Sequence, residues 1–343
     1  MNVRIRQSVR ELKPYTPGEQ TRDPSLLKLN TNENPYPPSP GVQGLLSTLA
    51  VEDLSRYPDP LSTELRGFLS ELHACKPENV IVGNGSDELL LLCLRAFVER
   101  RGTINYFDPS YSLYAVLAAI EDVAAIPVPL GEDFQWVVPP LTNTSLFFLT
   151  NPNSPTSILY PSDEIVRFCG SFNGVVVIDE AYVEFADTHC MHLAKGLPNV
   201  IVTRTLSKAY SLAGIRLGYA VGPADLISAL YKIKDSYNVS RLTQEVGLAA
   251  LRDQEYLHKI THAICSTRER IADELVTRGY TVFPSQTNFL WIQSPRLPAG
   301  DLYRYLREQK ILVRHFPGKR TGDYVRVSIG NDAEMDRFLA YAP

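Results

Sequence analysis

Short apolar runs punctuate the middle of the chain, at residues 80–82, 103–107, 124–128, 146–150, 175–178, 200–203 and 217–221. A strand with one face in water alternates apolar and polar residues. These runs do not alternate, which predicts strands buried on both faces, as in a parallel sheet covered by helices. Segments with helical spacing lie between them, at 86–100, 111–120 and 162–169. Strand alternating with helix predicts an α/β fold whose large domain has a mostly parallel central sheet. Beyond about residue 240 the pattern changes. A long helical stretch to about 278 is followed by strands near 280–283, 288–292, 311–314 and 324–329, with helices at 299–309 and 332–341. That order predicts a smaller α+β C-terminal domain.

The first forty residues fit neither pattern. After a short helix near 8–12 they run into Asn34-Pro35-Tyr36-Pro37-Pro38-Ser39-Pro40, and a second proline cluster follows at Tyr57-Pro58-Asp59-Pro60. Proline fixes φ and disfavours helix in the residue before it, so both read as extended or turn segments. The expected organisation is an arm over 1–40, a large domain over 41–240 and a small domain over 241–343.

Composition narrows the classes. The chain has 343 residues, 44% of them hydrophobic, enough for a sizeable core, and a net charge of −4 gives no reason to expect nucleic acid or an acidic membrane surface as partner. Five scattered cysteines, none spaced as a zinc or redox pair, suit reduced thiols in a cytoplasmic protein. The opening Met1-Asn2-Val3-Arg4 is basic, but no apolar stretch follows it, so it does not read as a secretory signal. No segment approaches ~18 uninterrupted apolar residues, and no membrane span is expected. His189-Cys190-Met191-His192 lacks a complete ligand set, and His258 and His262 lack the glutamate of a zinc-protease helix, so no metal is expected.

Candidate chemistry collects where the predicted strands end, the place where open parallel sheets bind ligands. The run 80–82 leads into Gly83-Asn84-Gly85-Ser86-Asp87-Glu88, a turn in which Ser86 can cap the next helix and free N–H groups can hold an anion. Taken alone it is equally an ordinary strand-to-helix turn, and it lacks the third glycine of a dinucleotide fingerprint. Tyr111, after 103–107, can stack on a flat ring or pack in the core. Asn151-Pro152-Asn153-Ser154-Pro155-Thr156 is a rigid polar turn. Asp179 ends a fully apolar strand, where a carboxylate needs a cation: a nearby arginine, or a protonated pyridine nitrogen. Lys208 follows 200–203, flanked by Ser207 and eight residues before Arg216, where desolvation and nearby cations can free its amine as a nucleophile. Each residue has an ordinary structural explanation. Together, an anion cradle, a stacking tyrosine, a carboxylate and a lysine meet the needs of pyridoxal 5′-phosphate (PLP), an aldehyde-bearing pyridine phosphate.

Longer stretches carry a family resemblance. Asp179-Glu180-Ala181-Tyr182-Val183-Glu184-Phe185 and Thr205-Leu206-Ser207-Lys208-Ala209-Tyr210-Ser211-Leu212-Ala213-Gly214-Ile215-Arg216 resemble fold-type I aminotransferases. Val9-Arg10-Glu11-Leu12-Lys13-Pro14-Tyr15, Leu29-Asn30-Thr31-Asn32-Glu33-Asn34-Pro35, Arg56-Tyr57-Pro58-Asp59-Pro60, Gly85-Ser86-Asp87-Glu88 and Arg326-Val327-Ser328-Ile329-Gly330 are similar to the narrower histidinol-phosphate aminotransferase family. The resemblance runs in order over nearly the whole chain.

It implies that Lys208 bonds to the cofactor's aldehyde and later shuttles a proton, that Asp179 pairs with the pyridine N–H, and that Tyr182 hydrogen-bonds the ring O3′. It implies that Tyr111 stacks on the ring and that Gly85, Ser86, Asp87, Thr205, Ser207 and Arg216 surround the phosphate. Tyr57 resembles a tyrosine that reaches the cofactor of a second subunit, which implies a homodimer. Arg326 and Arg314 would hold the substrate's anionic group, with Tyr15 and Asn30 as arm contacts. The sequence departs from the family at 151–157, where Ser154 replaces the asparagine that contacts O3′. Asn153, a water or Tyr182 alone would then supply that contact. The implied reaction is transamination between L-histidinol phosphate and 2-oxoglutarate. Decarboxylation of threonine phosphate, aromatic amino acid transamination and a non-catalytic α/β binding module are the alternatives.

Overall fold

The computed structural model describes residues 4–140 and 144–343. Met1, Asn2 and Val3, the start of the basic N-terminus, lie outside the described residues. In chain order the strands are β1 (Leu27–Lys28), β2 (Val80–Gly83), β3 (Thr103–Asp108), β4 (Ala124–Pro129), β5 (Leu146–Thr150), β6 (Val175–Asp179), β7 (Val200–Thr205) and β8 (Gly218–Val221). They continue with β9 (Thr281–Val282), β10 (Phe289–Gln293), β11 (Ile311–Leu312), β12 (Arg314–His315) and β13 (Val325–Ser328).

Seven strands form one sheet in the order β2-β8-β7-β6-β5-β3-β4. The neighbours from β4 through β3, β5, β6 and β7 are parallel. The strand read from 217–221 is the exception: β8 is antiparallel to both β7 and β2. An unbroken apolar run shows that both faces are covered but does not fix direction. Successive residues feed opposite faces. Phe147 and Leu149, with Val176 and Ile178, pack in one apolar cluster; Leu146 and Phe148, with Val177 and Ile201, pack in another. The sheet edge at β4 is mostly exposed and carries Pro127 and Pro129, which suits a strand with an unpaired side.

The C-terminal strands form a four-stranded antiparallel sheet, β12-β13-β10-β9. The expected helical stretch from 240 to 278 is two helices, Arg241–Arg252 and Gln254–Thr277. Asp253 divides them, and its carboxylate accepts a hydrogen bond from Tyr256 N as cap of the second. The single strand expected at 311–314 also splits. β11 pairs in parallel with β1 of the arm, Leu27 opposite Ile311, whereas β12 belongs to the four-stranded sheet. The arm is thereby laced to the C-terminal part while its polar residues face the ends of the large sheet. Among the described residues no helix is long and apolar enough to cross a membrane.

Candidate active site

A cavity of about 460 Å³ opens at the carboxyl ends of the parallel strands, walled on its far side by the arm and by β12 and β13. Thirteen of the residues to which the resemblance gives a role line it: Tyr15, Asn30, Ser86, Asp87, Tyr111 and Asp179, then Tyr182, Thr205, Ser207 and Lys208, then Arg216, Arg314 and Arg326. Gly85 and Asn153 stand behind the wall, and Tyr57 lies elsewhere.

Asp179 ends β6 and is only 2% exposed. Its carboxylate accepts from the Tyr114 hydroxyl at 3.0 Å and from Ala181 N at 3.2 Å. Among the described residues no lysine, arginine or histidine forms an ion pair with it. Burial without a countercharge pushes its pKa up to about 7, against the lowering pull of the Tyr114 hydrogen bond. The arginine partner that could have neutralised it, Arg204, is committed to the next residue: it binds Glu180 Oε2 at 2.7 and 2.8 Å. A protonated ring nitrogen fits this unpaired acid.

Lys208 sits in the turn after β7. Its Nζ donates to Thr31 O at 3.1 Å and lies 5.8 Å from the Tyr182 ring centroid. Asn34 Nδ2 holds the same turn by donating to Lys208 O and Ala209 O at 3.2 and 2.9 Å. The Tyr182 hydroxyl accepts from Asn32 Nδ2 at 2.9 Å. Asn32 is itself fixed by Ser328 Oγ, which receives its N–H and donates to its Oδ1.

The anion cradle is built at the start of the helix Gly85–Phe97. The residue in the N-cap position is Asn84, so Ser86 lies inside the first turn and its expected capping role is corrected. That places the free N–H groups of the first turn at the cavity. Gly85 has φ +76°, and a Cβ there would meet Arg216 Nη2 at 2.6 Å. Gly218 is equally constrained, since a Cβ would meet Ser86 N at 2.5 Å. The absence of both side chains lets Arg216 and the β7–β8 hairpin close on the helix start. Arg216 Nη1 donates to Ser207 Oγ at 3.3 Å, and Thr205 Oγ1 donates to the same hydroxyl at 2.9 Å. Arg216 Nη2 reaches Asp87 Oδ2 at 3.5 Å, and the Tyr111 hydroxyl donates to Asp87 Oδ1 at 3.2 Å.

Asn153 lies beside the cavity rather than lining it. Its Nδ2 donates to Pro109 O and Thr156 Oγ1 at 3.0 and 2.8 Å, and its Oδ1 accepts from Ser110 Oγ at 3.1 Å. Its neighbour Ser154 does reach the cavity, where its hydroxyl accepts from Arg326 Nη1 at 3.1 Å.

Opposite the strand ends, β12 and β13 place Arg314 directly across from Arg326 in the antiparallel register. Facing like charges are unfavourable, and the side chains do little to relieve it among themselves. Arg314 donates to Pro17 O and Thr16 O, Arg326 to Asn30 O; no carboxylate pairs with either among the described residues. Arg326 Nε is buried with no hydrogen-bond partner among the described residues, and desolvation lowers the Arg326 pKa. A pair of this kind is suited to an anion that arrives from outside.

Sequence reasoning missed Tyr114, Thr31, Asn32, Phe316 and Thr321. Tyr114 reads as one more apolar residue of the helix Leu113–Ile120. Thr31 and Asn32 lay within a quoted stretch, but their partners are 150 residues or more away in the chain. Tyr57 is 78% exposed and stacks on Tyr237 at 4.5 Å between ring centroids.

The fold and the cavity define a transaminase architecture, and the family model for aminotransferase class I and II matches residues 24–341. The chain belongs to that family. Within it, full-length relatives include histidinol-phosphate aminotransferases. The protein of that name from Geotalea daltonii is 42% identical over 98% of each chain, and that from Chromohalobacter salexigens is 43% identical over 97% of this chain and 96% of its own. The histidinol-phosphate aminotransferase of Sinorhizobium meliloti, solved in complex with pyridoxal 5′-phosphate, superposes with a TM-score of 0.89 at 27% identity, covering 99% of this chain and 96% of the other.

Proposed function

We propose that the protein is a PLP-dependent aminotransferase that takes the amino group of L-histidinol phosphate and delivers it to 2-oxoglutarate, giving imidazole-acetol phosphate and glutamate, in histidine biosynthesis. The observation that carries this reading is the pairing of an uncompensated acid, Asp179, with Lys208 on one wall and two facing arginines on the other. Bound PLP supplies an aldehyde that captures amines and a ring that withdraws electrons from the substrate's Cα.

The chain's own groups supply the rest. Asp179 holds the proton on the ring nitrogen, a role for which a buried carboxylate with no internal cation is suited. Tyr182 and Asn32 present a hydrogen-bonded hydroxyl at the ring's edge. The Lys208 amine carries the proton at the substrate's Cα. Ser86, Asp87, Thr205, Ser207 and Arg216, with Gly85 giving Arg216 its approach, hold the phosphate. Tyr111 lies against the ring. Arg314 and Arg326, with Tyr15 and Asn30, receive the phosphate of one substrate and the carboxylate of the other, since a guanidinium binds both in the same forked geometry. The arm over 1–40, the large domain over 41–240 and the small domain over 241–343 divide this work. Tyr57, exposed in the single chain, is supplied to the neighbouring subunit's phosphate in a cytoplasmic homodimer.

The test is a donor screen on purified, PLP-loaded protein, followed by the cofactor's absorbance. Histidinol phosphate and glutamate should each convert the spectrum in the absence of the other substrate, and steady-state kinetics should be ping-pong. Silence with both amines sinks the reading. Release of CO2 from threonine phosphate with no keto acid present would replace it with a decarboxylase.

A further inference from the structure

The turn between β12 and β13 is closed on itself. Thr321 Oγ1 donates to Phe316 O at 2.7 Å, and Gly322 N donates to Gly318 O at 2.8 Å. Phe316, at its start, stands beside both cavity arginines, its ring centroid 5.1 Å from the guanidinium carbon of Arg314 and 5.2 Å from that of Arg326. Phe316 and Thr321 both line the cavity that holds Lys208.

The far end of the turn is tied to the other sheet. Arg320 Nη1 donates to Asp108 O and Leu130 O at 3.0 and 2.7 Å, and Nη2 donates to Gly131 O at 2.7 Å. These carbonyls lie at or just beyond the carboxyl ends of β3 and β4. Among the described residues Arg320 forms no ion pair, so its charge is spent on backbone dipoles. Its guanidinium carbon also lies 5.6 Å from the centroid of the Phe134 ring. Phe134 is buried with φ +60°, a conformation a bulky side chain keeps only when its surroundings enforce it. The ring packs edge-on against Phe283 and Tyr324, at 5.3 and 5.4 Å, beside the four-stranded sheet. Carbonyl clamp and aromatic plug converge on one side chain, and that side chain is six residues from each of the two arginines.

We propose that Arg320 is a positioning residue of the substrate-anion site: by fastening the 316–322 turn to the ends of β3 and β4, it fixes Phe316 beside Arg314 and Arg326 and sets the spacing at which these two guanidiniums receive an anion. This deepens the function proposed above and rests on its assignment of the arginines to the substrate.

The test uses PLP-loaded enzyme carrying Arg320→Met, which keeps the packing on Phe134 and removes every donor. KM for the amino donor and for 2-oxoglutarate should each rise about tenfold with kcat within about twofold, the pattern of lost uniform binding. Amide exchange at Gly322 and Tyr324 should quicken, and the cofactor spectrum should stay as in wild type. Arg320→Lys should recover part of the loss, because an ammonium can donate to some of the same carbonyls. Should Arg320→Met not fold, Arg320→Lys and Phe316→Leu carry the test, each expected to raise both KM values. Unchanged KM values in a protein that merely melts earlier would make Arg320 a structural tie and overturn the proposal, as would unchanged exchange at 322 and 324. If the wild type shows no aminotransferase activity, the function proposed above fails separately. Arg320 is then judged by titrating PLP-loaded protein with inorganic phosphate, where about tenfold weaker binding in Arg320→Met supports the proposal and equal binding overturns it.

Discussion

Two carboxylates sit side by side at the end of β6 and meet opposite surroundings. On one side of the strand, Glu180 is closed off: Arg204 binds one of its oxygens at 2.7 and 2.8 Å and the Cys190 N–H the other. On the cavity side, Asp179 has a phenol and an amide but no cation among the described residues. Both are buried. Burial alone therefore does not separate the two; of this adjacent pair, the acid left without a countercharge is the one that faces the cavity. The same contrast separates the arginines. Arg204 is neutralised inside the fold, whereas Arg314 and Arg326 face each other across a strand pair and, among the described residues, pair with no acid.

The comparison is tested most severely at Lys208, the other half of the cavity-side set. Lys208→Ala should lower kcat by more than about 10⁴-fold, since nucleophile and proton carrier are lost together, while the melting temperature of the cofactor-free protein stays close to wild type. A Lys208→Ala enzyme with activity within tenfold of wild type would remove the cavity from the chemistry.

Next come the two neighbouring acids, exchanged for their amides. Asp179→Asn should cost about 10²–10³-fold in kcat and weaken PLP retention, with little change in stability, because the amide no longer favours a protonated ring. Glu180→Gln should do the reverse. It strips the buried Arg204 of its hydrogen-bonded carboxylate, a loss of up to about 3–5 kcal/mol by the precedent of broken buried pairs, read by denaturant unfolding. Whatever enzyme remains folded should keep most of its kcat. Equal effects of the two substitutions on kcat would erase the distinction.

This distinction was only half legible in the sequence. The strand ends were readable because 146–150, 175–178 and 200–203 are apolar without alternation, so the polar residues that follow them stand out as cavity residues. Which acid takes the arginine was not readable, since Asp179 and Glu180 are adjacent and Arg204 lies on the next strand over. Direction was equally hidden in β8, whose run of buried residues looks the same parallel or antiparallel. The far wall depends on pairings between distant segments, Leu27 with Ile311 and Asn32 with Ser328, that no local pattern announces. The resemblance supplied Arg314 and Arg326. Their face-to-face register, and the turn at Arg320 that joins them to the large sheet, came only from the structure.

A titration sharpens the comparison further. In the cofactor-free protein, burial raises the Asp179 pKa from 3.8 to about 7. The native chain then holds more protons than the unfolded chain between those values, so stability should fall as pH rises through that interval and level off above it. Glu184, raised from 4.5 to about 7 by burial, adds a fall of the same sign. A pyridine N–H beside Asp179 provides the missing countercharge, so loading with PLP should flatten the Asp179 share and leave that of Glu184. Melting temperatures across pH 4–8 for both forms, repeated in Asp179→Asn and Glu184→Gln, separate the two contributions. An identical pH profile with and without PLP would mean that the cofactor does not meet Asp179.

The smallest expected effect concerns Tyr57, a predicted contact that the single chain leaves outside the cavity. Tyr57 is exposed and leans on Tyr237, outside the cavity that Ser86, Asp87, Thr205, Ser207 and Arg216 line. If its hydroxyl serves the neighbouring subunit's phosphate, Tyr57→Phe removes a single hydrogen bond to a charged group, worth about 1.5–3 kcal/mol, and PLP should dissociate roughly tenfold to a hundredfold more readily. The ring stack survives the change, so the melting temperature of the cofactor-free protein should not move. The decisive version mixes subunits. A heterodimer of Tyr57→Phe with Lys208→Ala has one active lysine, on the Tyr57→Phe chain, and that site receives an intact tyrosine from its partner. Its PLP affinity should match wild type, whereas the Tyr57→Phe homodimer stays weak. Equal weakness in both would place the hydroxyl in its own subunit's site, and no change in either would make Tyr57 an ordinary surface residue.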